Sequence, residues 1–428
     1  MTDEQIAALG PAFAAELRQY RGSFGQDRTA RHFDTYCRGL LSDLPRKSVE
    51  PIALAAGTAV RTLQEFLVTA AWDHAGARDR LQARLADAVA GLPPDPLGIV
   101  GVIDETSAAK KGDKTPGVQR QYLGCVGKID NGIVTVHVGV TTGRFQALLD
   151  AELYLPQSWA ADRPRCRAAG IPDEVRYRPK WRIALDQLIR LRGNGVTFDW
   201  VVFDEGYGSK VPFLWVLGLV GQKFVAEVPT SFAVRNTSDG PSRRADAHQP
   251  GTRTGRWRRY RIGRKTLADQ VWRARATRVW AARRWHALVT AVNEGTGEVK
   301  YFVTNAVGES PDRILAVAFR RATVEHAFRV AKSEAGLTHF EGRQYAGLER
   351  HLILTLVVLG FVAVHTERLR GEKSPGDAGA GVSGPERPVS GPVPPTPAGA
   401  GPAAHRDGHP VPPATQRAGH QLPQETAA

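Results

Sequence analysis

"VIDETSAAKKGDKTPGVQRQYLG", residues 102–124, starts as a buried strand and then abandons its own pattern. The apolar run "GIVGVI" ends in Asp104 and Glu105, and within ten residues the chain presents Lys110, Lys111 and Lys114 around Gly112, with Gly117 following. Alternation along a strand turns Asp104 and Glu105 to opposite faces. In "FDWVVFDEGYG" (198–208), Asp204 closes a second apolar run in the same manner before a glycine-rich turn. Two carboxylates at the carboxyl ends of adjacent buried strands point into one crevice. Like charges buried together call for a cation between them. Strand-end acids also serve as helix caps and turn formers, so the pair by itself leaves both readings open.

The chain has 428 residues, enough for two or three domains, and carries 57 Lys and Arg against 43 Asp and Glu, a formal charge of +14. That excess selects a polyanionic partner, nucleic acid before membrane. Cys37, Cys125 and Cys166 form neither a CxxC pair nor an even disulfide set, which predicts reduced thiols and a cytoplasmic protein. "MTDEQIAALG" has no basic and apolar leader pattern. The apolar run "LILTLVVLGFVAV" (352–364) is shorter than the ~20 residues of a spanning helix, so a buried helix and no membrane partner are expected.

Periodicity divides the chain. Residues 1–92 read as a helical DNA-binding domain, with apolar positions three and four apart. Within it "SVEPIALAAGTAVRTLQEFL" places a glycine at 57 between two helices, a helix-turn-helix pattern whose second helix exposes Arg61, Thr62 and Gln64. After the proline-rich boundary "GLPPDPLG" (91–98) come the strand-like runs "LGIVGVID", "RQYLGCVGKI" and "IVTVHVGVTT", the last two joined by a hairpin across "DNG" (130–132). A helix over 181–196, the strand ending at Asp204, a second helix and the strand "KFVAEVP" (223–229) follow. Hairpin-linked strands leading into strand–helix–strand units define an α/β fold, a mixed sheet with flanking helices.

Residues 230–299 read as a basic, Trp/Arg-rich β insertion. From Arg253 to Arg284 there are twelve Lys or Arg against the single acid Asp269, with Trp257, Tyr260, Trp272, Trp280 and Trp285 interleaved. Cations attract phosphate, and indole faces stack on unpaired bases for roughly 1 to 3 kcal/mol each. Arg256, Trp257, Arg258 and Arg259 are the expected DNA contacts here; the competing reading simply puts Trp inward and Arg outward on a sheet. After Gly371 the composition turns to Pro, Gly and Ala, and the tail 371–428 is expected to be disordered.

A third carboxylate comes from "RRATVEHAFRVAKSEAGL", read as part of one long helix from Asp312 to Glu334. Arg321, Glu325, Phe328 and Lys332 then fall on one stripe, within about 60° of each other, beside the apolar Val317, Val324 and Ala331. Other chemistries find no support. "GDKTPG" lacks the order of a P-loop, the histidines show no HExxH, and no serine sits in GxSxG.

These residues resemble the insertion-sequence transposases of the DDE type. Their catalytic domain has an RNase H-like fold, and their third acid lies in a Y-(2)-R-(3)-E-(6)-K signature. Arg321, Glu325 and Lys332 fit that spacing, while Ala318 holds the tyrosine position with Phe319 beside it. "GVIDETSAAKKGDKTPGVQRQY", "FDEGYG", "LPRKSVEPIALAAG" and "HFEGRQYAGLERHLIL" are each similar to segments of actinobacterial-type members.

The resemblance implies an RNase H-like catalytic domain built from 97–229 and 300–368, interrupted by the insertion. It implies metal-dependent DNA cleavage and strand transfer at insertion-sequence ends by in-line attack on a phosphodiester. Asp104, Asp204 and Glu325 would hold two Mg²⁺ (or Mn²⁺), and Arg321 and Lys332 would neutralise phosphate charge. Lys110, Lys111 and Lys114 would grip the DNA backbone, joined by Arg61 and Thr62 of the helix-turn-helix. Expected partners are double-stranded DNA, as terminal repeats and target, and a second copy of the chain in a homodimer on DNA. A cytoplasmic, nucleoid-associated location follows. Two alternatives stay open: a DNA-binding regulator derived from a transposase, which would not need the acids, and a metal-dependent nuclease that cuts without joining.

Overall fold

In the computed structural model, which describes residues 3–248, 255–264 and 267–372, the run ending beyond Asp104 forms strand β1 (Val100–Ala109). Three strands continue it as an antiparallel meander: β2 (Gln119–Leu123), β3 (Lys128–Thr142) and β4 (Phe145–Leu153). One edge of β3 pairs with β1; the other takes β2 along its first residues and β4 along the rest. On the free edge of β1, β5 (Trp200–Phe203) and then β6 (Phe224–Val228) add in parallel. A meander followed by two parallel strands is the RNase H-like order, and the expected α/β mixed sheet is present.

The segment between β6 and the last helices contributes more strands to the same sheet. After the short pair β7 (Ala233–Val234) and β8 (Arg243–Arg244) come β9 (Arg258–Arg264), β10 (Leu267–Ala281), β11 (Arg284–Asn293) and β12 (Val299–Thr304). The sheet runs on from β6 through β12, β11 and β10 to β9. Part of the arginine–tryptophan alternation is therefore ordinary sheet chemistry: Trp272 is buried and packs on Phe319, while Arg273 and Arg278 face out.

The N-terminal region supplies α1 (Asp3–Arg18), α2 (Asp27–Leu41), α3 (Val49–Ala55), α4 (Val60–Val68) and α5 (His74–Ala90). Gly57, at φ +62°, makes the turn between α3 and α4 that L side chains resist. Between β4 and β5 lie α6 (Gln157–Ala161), α7 (Arg163–Ala168) and α8 (Lys180–Gly193); between β5 and β6, α9 (Glu205–Gly208) and α10 (Val211–Leu219). The chain then forms α11 (Pro311–Ala318), α12 (Ala322–Glu334) and α13 (Tyr345–Glu372). Contacts gather Met1–Lys373 into one unit, with α13 against α2, α4, α5 and β4. The second unit, Ser374–Ala428, and with it nearly all of the tail expected to be disordered, lies outside the described residues.

Three expectations need correction, and one strand was missed. No hairpin forms at "DNG": β3 runs straight through it, and the turn lies earlier, where Gly127 at φ +67° donates to the Leu123 carbonyl. Asn131 instead gives its amide to the carbonyls of Lys110 and Gly112, and Gly132 lies so close to β1 that a Cβ would sit 2.5 Å from the Ala108 oxygen. Strand β4 was not expected from "FQALLDAEL". The helix expected over Asp312–Glu334 is broken by a 3-10 turn at Phe319–Arg321. Finally, the helix around "LILTLVVLGFVAV" reaches 28 residues, and by length and composition it is long and apolar enough to cross a membrane. Its apolar stretch is mostly buried within the fold, which gives Leu352, Leu354, Leu356 and Val357 partners without a bilayer.

Candidate active site

Strand register brings the two aspartates together. Val102 pairs with Val202 across β1 and β5, so two residues further along Asp104 and Asp204 stand level on neighbouring parallel strands. Phe203 pairs with Ala226 across β5 and β6, and one residue on, Glu227 stands level with Asp204. Three carboxylates thus form a row: Asp104 in the middle of β1, which pairs with β3 on to Ala109 rather than ending at the aspartate as expected, Asp204 just past the end of β5, and Glu227 near the end of β6. Glu105 is turned to the opposite face, as alternation requires, and pairs there with Lys180 at the start of α8 at 2.8 Å.

Asp104 is 8% exposed, and its carboxyl accepts from the Glu105 amide at 2.8 Å and from Arg321 at 3.2 Å. Burial first, and then the neighbouring charge of Asp204, push its pKa up to about 7, against the pull of Arg321. Asp204 caps α9, accepting from the amides of Gly206 at 3.0 Å and Tyr207 at 3.4 Å. The helix-cap reading and the site reading are therefore compatible. The Tyr207 hydroxyl is buried close to Asp104 and Asp204 without a hydrogen-bond partner.

The break before α12 decides where Arg321 goes. Arg320 points to the proline-rich boundary, bonding Asp95 and the Gly143 carbonyl at 2.8 Å each. Arg321 turns into the acidic row, 3.2 Å from Asp104 and 3.9 Å from both Glu227 and Glu325. Phe319 anchors the turn between Trp272 of β10 and Phe302 of β12, so these two strands buttress the segment that aims Arg321. Lys332, two helix turns beyond Glu325 on the same stripe, is half-buried; burial lowers its pKa, and the nearby Cys125 and Asp104 oppose that shift. Ala318 at the expected tyrosine position is buried.

Glu325 is brought to the rim of this cluster. Its side chain is 65% exposed and touches the cluster through Arg321. Among the described residues no three His, Cys, Asp or Glu side chains converge closely enough to hold a metal ion. The donors nonetheless suit a hard divalent cation. Mg²⁺ takes one or two carboxylates and completes its shell with water and substrate phosphate, and Asp104 and Asp204 are two such donors side by side. Burial and then the charge of Asp204 raise the pKa of Asp104, and Arg321 only partly offsets them.

The expected DNA contacts are placed unevenly. Lys111 and Lys114 are exposed on the loop after β1, but Lys110 turns inward and donates to the carbonyls of Thr338 at 3.2 Å and Phe340 at 2.5 Å. A half-buried ammonium needs acceptors more than solvent access, and the segment after α12 supplies them. Arg61 is exposed and paired with Glu65 at 2.8 Å, whereas Thr62 is half-buried rather than exposed. Arg256 and Arg258 are exposed, and Arg259 pairs with Glu294 at 2.5 Å. The Trp257 ring is covered by Arg273 and Arg275 at 5.1 and 4.9 Å.

Sequence reasoning missed Glu227 and Tyr207. Glu227 was detectable as the acid near the end of "KFVAEVP", in the position that Asp104 and Asp204 hold on their strands. Tyr207 carried no signal beyond its place in the turn after Asp204.

An RNase H-like sheet with carboxylates level on its central parallel strands defines a class of enzymes that act on phosphodiesters. A family profile described as DDE superfamily endonuclease matches residues 19–291, well over half of the chain, and the chain belongs to that family. It is also 34% identical over 238 residues to the probable transposase for insertion sequence element IS701 of Microchaete diplosiphon. That match covers 55% of this chain and 58% of the relative, so the chain spans less than two thirds of the relative's length.

Proposed function

We propose that this chain is an insertion-sequence transposase that cleaves DNA strands at element ends and joins them to target DNA, with Mg²⁺ or Mn²⁺ as cofactor. The observation that carries the reading is the juxtaposition of Asp104 within β1, Asp204 at the carboxyl end of β5 and Arg321 before α12, in a chain of the DDE endonuclease family. The similarity to the IS701 element's probable transposase favours transposition over a stand-alone nuclease or a regulator.

Asp104 and Asp204 would hold the metal, with Glu325 as third ligand when DNA draws α12 inward. Bound there as two ions, Mg²⁺ would activate a water or a DNA 3′-hydroxyl and stabilise the leaving oxygen. Arg321 and Lys332, an R…E…K set around Glu325, would neutralise charge on the reacting and flanking phosphates. Lys111 and Lys114 would track the backbone beside the cleft; Arg256, Trp257, Arg258 and Arg259, with Arg61 and Thr62 of the α3–α4 hairpin, would extend the footprint. Lys110 belongs to the fold instead. Residues 1–92 would serve as the DNA-binding domain, 97–229 with 300–368 as the catalytic domain, and 230–299 as an insertion serving both. The protein would act as a homodimer on double-stranded DNA, because two ends must be cut together, and would be found at the bacterial nucleoid.

Purified protein incubated with Mg²⁺ and labelled element ends, beside an Asp204→Asn variant, tests this. Metal-dependent cleavage and joining by the native chain alone is expected. Cleavage without joining would replace the reading with a nuclease, and no metal-dependent cleavage would replace it with a regulator.

A further inference from the structure

Arg321 holds an unusual place, a single guanidinium facing four carboxylates. Its Nη1 is hydrogen-bonded to Asp104 at 3.2 Å, whereas its Nη2 stands 3.9 Å from Glu227 and 3.9 Å from Glu325, beyond hydrogen-bond reach of either. The side chain is 24% exposed, so the guanidinium lies within the cleft. Glu227 is held by Lys300 of β12 at 2.6 Å, and its side chain is 20% exposed, less enclosed than Asp104 but far more so than Glu325. Glu205, beside it, adds a further negative charge.

We infer that Glu227 is a positioning residue for Arg321, the carboxylate that receives the guanidinium when a divalent cation takes over Asp104. The inference rests on the metal reading above and goes beyond it. A divalent ion bound at Asp104 and Asp204 repels a guanidinium on the same carboxylate. An arginine expelled in a partly dry cleft needs another acceptor, because an unpaired charge there is strongly destabilising. Glu227 stands on β6, beside the strand that ends at Asp204, 3.9 Å from Nη2, and is anchored by Lys300. Glu325, being mostly exposed and wanted by the metal, is a poorer resting place. In this arrangement Arg321 is never free: it holds the acidic row together without metal, and with metal it is retained at the cleft wall, aimed at the phosphate.

The test is Mn²⁺ binding to the full chain, read from the free-Mn²⁺ paramagnetic resonance signal, in a double-mutant cycle of Glu227→Gln and Arg321→Ala. Arg321→Ala is expected to tighten Mn²⁺ binding about fivefold by removing a competitor, and Glu227→Gln to weaken it about fivefold by removing the acceptor. In the Arg321→Ala background the Glu227→Gln effect should vanish. Equal weakening in both backgrounds would make Glu227 a metal ligand and overturn the inference; no weakening in either would also overturn it. Should Glu227→Gln fail to fold, Glu227→Asp, which keeps a charge for Lys300 but draws it back from Arg321, is expected to show the same background dependence. Failure of the metal reading itself is separable, because Asp104→Asn and Asp204→Asn would then leave Mn²⁺ binding unchanged.

Discussion

Asp104 and Asp204 stand level on adjacent parallel strands, and burial, with the charge of the second added, pushes the pKa of the first up to about 7. The pair is electrostatically unfinished, and Arg321 alone does not complete it. Asp104→Asn and Asp204→Asn are therefore each expected to lower metal-dependent cleavage by about 1,000-fold or more, equivalent to roughly 4 kcal/mol of barrier, while the far-ultraviolet circular dichroism of the protein stays unchanged. Cleavage within tenfold of the native rate by either variant would remove the aspartates from the chemistry.

The three lysines after β1 should separate by experiment, since one points inward and two outward. Lys111→Ala with Lys114→Ala is expected to weaken binding to non-specific duplex DNA and to reduce the slope of log affinity against log salt by about 2, one phosphate for each lysine. Lys110→Met should leave the slope alone and destabilise the fold by about 1 to 3 kcal/mol, because the Thr338 and Phe340 carbonyls lose their donor. Titrations at several salt concentrations and urea unfolding distinguish the two outcomes.

His351 predicts a pH dependence of stability. It is fully buried on α13, with Nε2 against the Gly336 carbonyl at 3.0 Å and Nδ1 against the Tyr36 hydroxyl at 2.9 Å. A carbonyl can only accept, so Nε2 carries the proton and Nδ1 accepts from Tyr36. A neutral ring satisfies both contacts, and burial pushes the pKa down to about 4 from its ordinary 6.5. The folded-state pKa is lowered, so the stabilisation is complete above pH 6.5 and is lost as pH falls toward 4, by roughly 3 kcal/mol. His137, buried beneath Phe328 and pushed to about 3, steepens the same slope. Urea unfolding between pH 7.5 and 4.5 should show this fall, and His351→Gln should make it shallower.

Much of the site was legible because strand ends are local features. An apolar run closing on an aspartate identifies itself, and two such runs flanked by turn residues already suggest one crevice. What escaped depended on partners distant in sequence. Asn131–Gly132 has the composition of a turn, but the pair is drawn into β3 by Ala108 on the adjacent strand β1 and by Lys110 and Gly112 just after it. The pattern from Asp312 to Glu334 is continuous as a helix; what breaks it is packing of Phe319 between Trp272 and Phe302, residues contributed by the segment before it. Glu227 became part of the site only once the β5–β6 register was known.

Gly208 ties the fold to the acidic row most directly. It ends α9, and a Cβ there would lie 2.0 Å from the carbonyl oxygen of Glu227 and 3.0 Å from its carbonyl carbon, backbone atoms of β6 that cannot give way cheaply. Only glycine lets α9 approach β6 this closely, and that approach sets Asp204, at the start of α9, beside Glu227, on β6. Gly208→Ala must push the helix from the strand, loosening the cap on Asp204 and moving Glu227 away from Arg321. The expected cost is about 1 to 3 kcal/mol of stability, together with weaker Mn²⁺ binding. Gly22→Ala is the control: nothing lies within 4 Å of its added carbon, and its effect should stay within about 0.5 kcal/mol. If Gly208→Ala lowers stability but leaves Mn²⁺ affinity unchanged, the spacing of α9 and β6 supports the fold without setting the site.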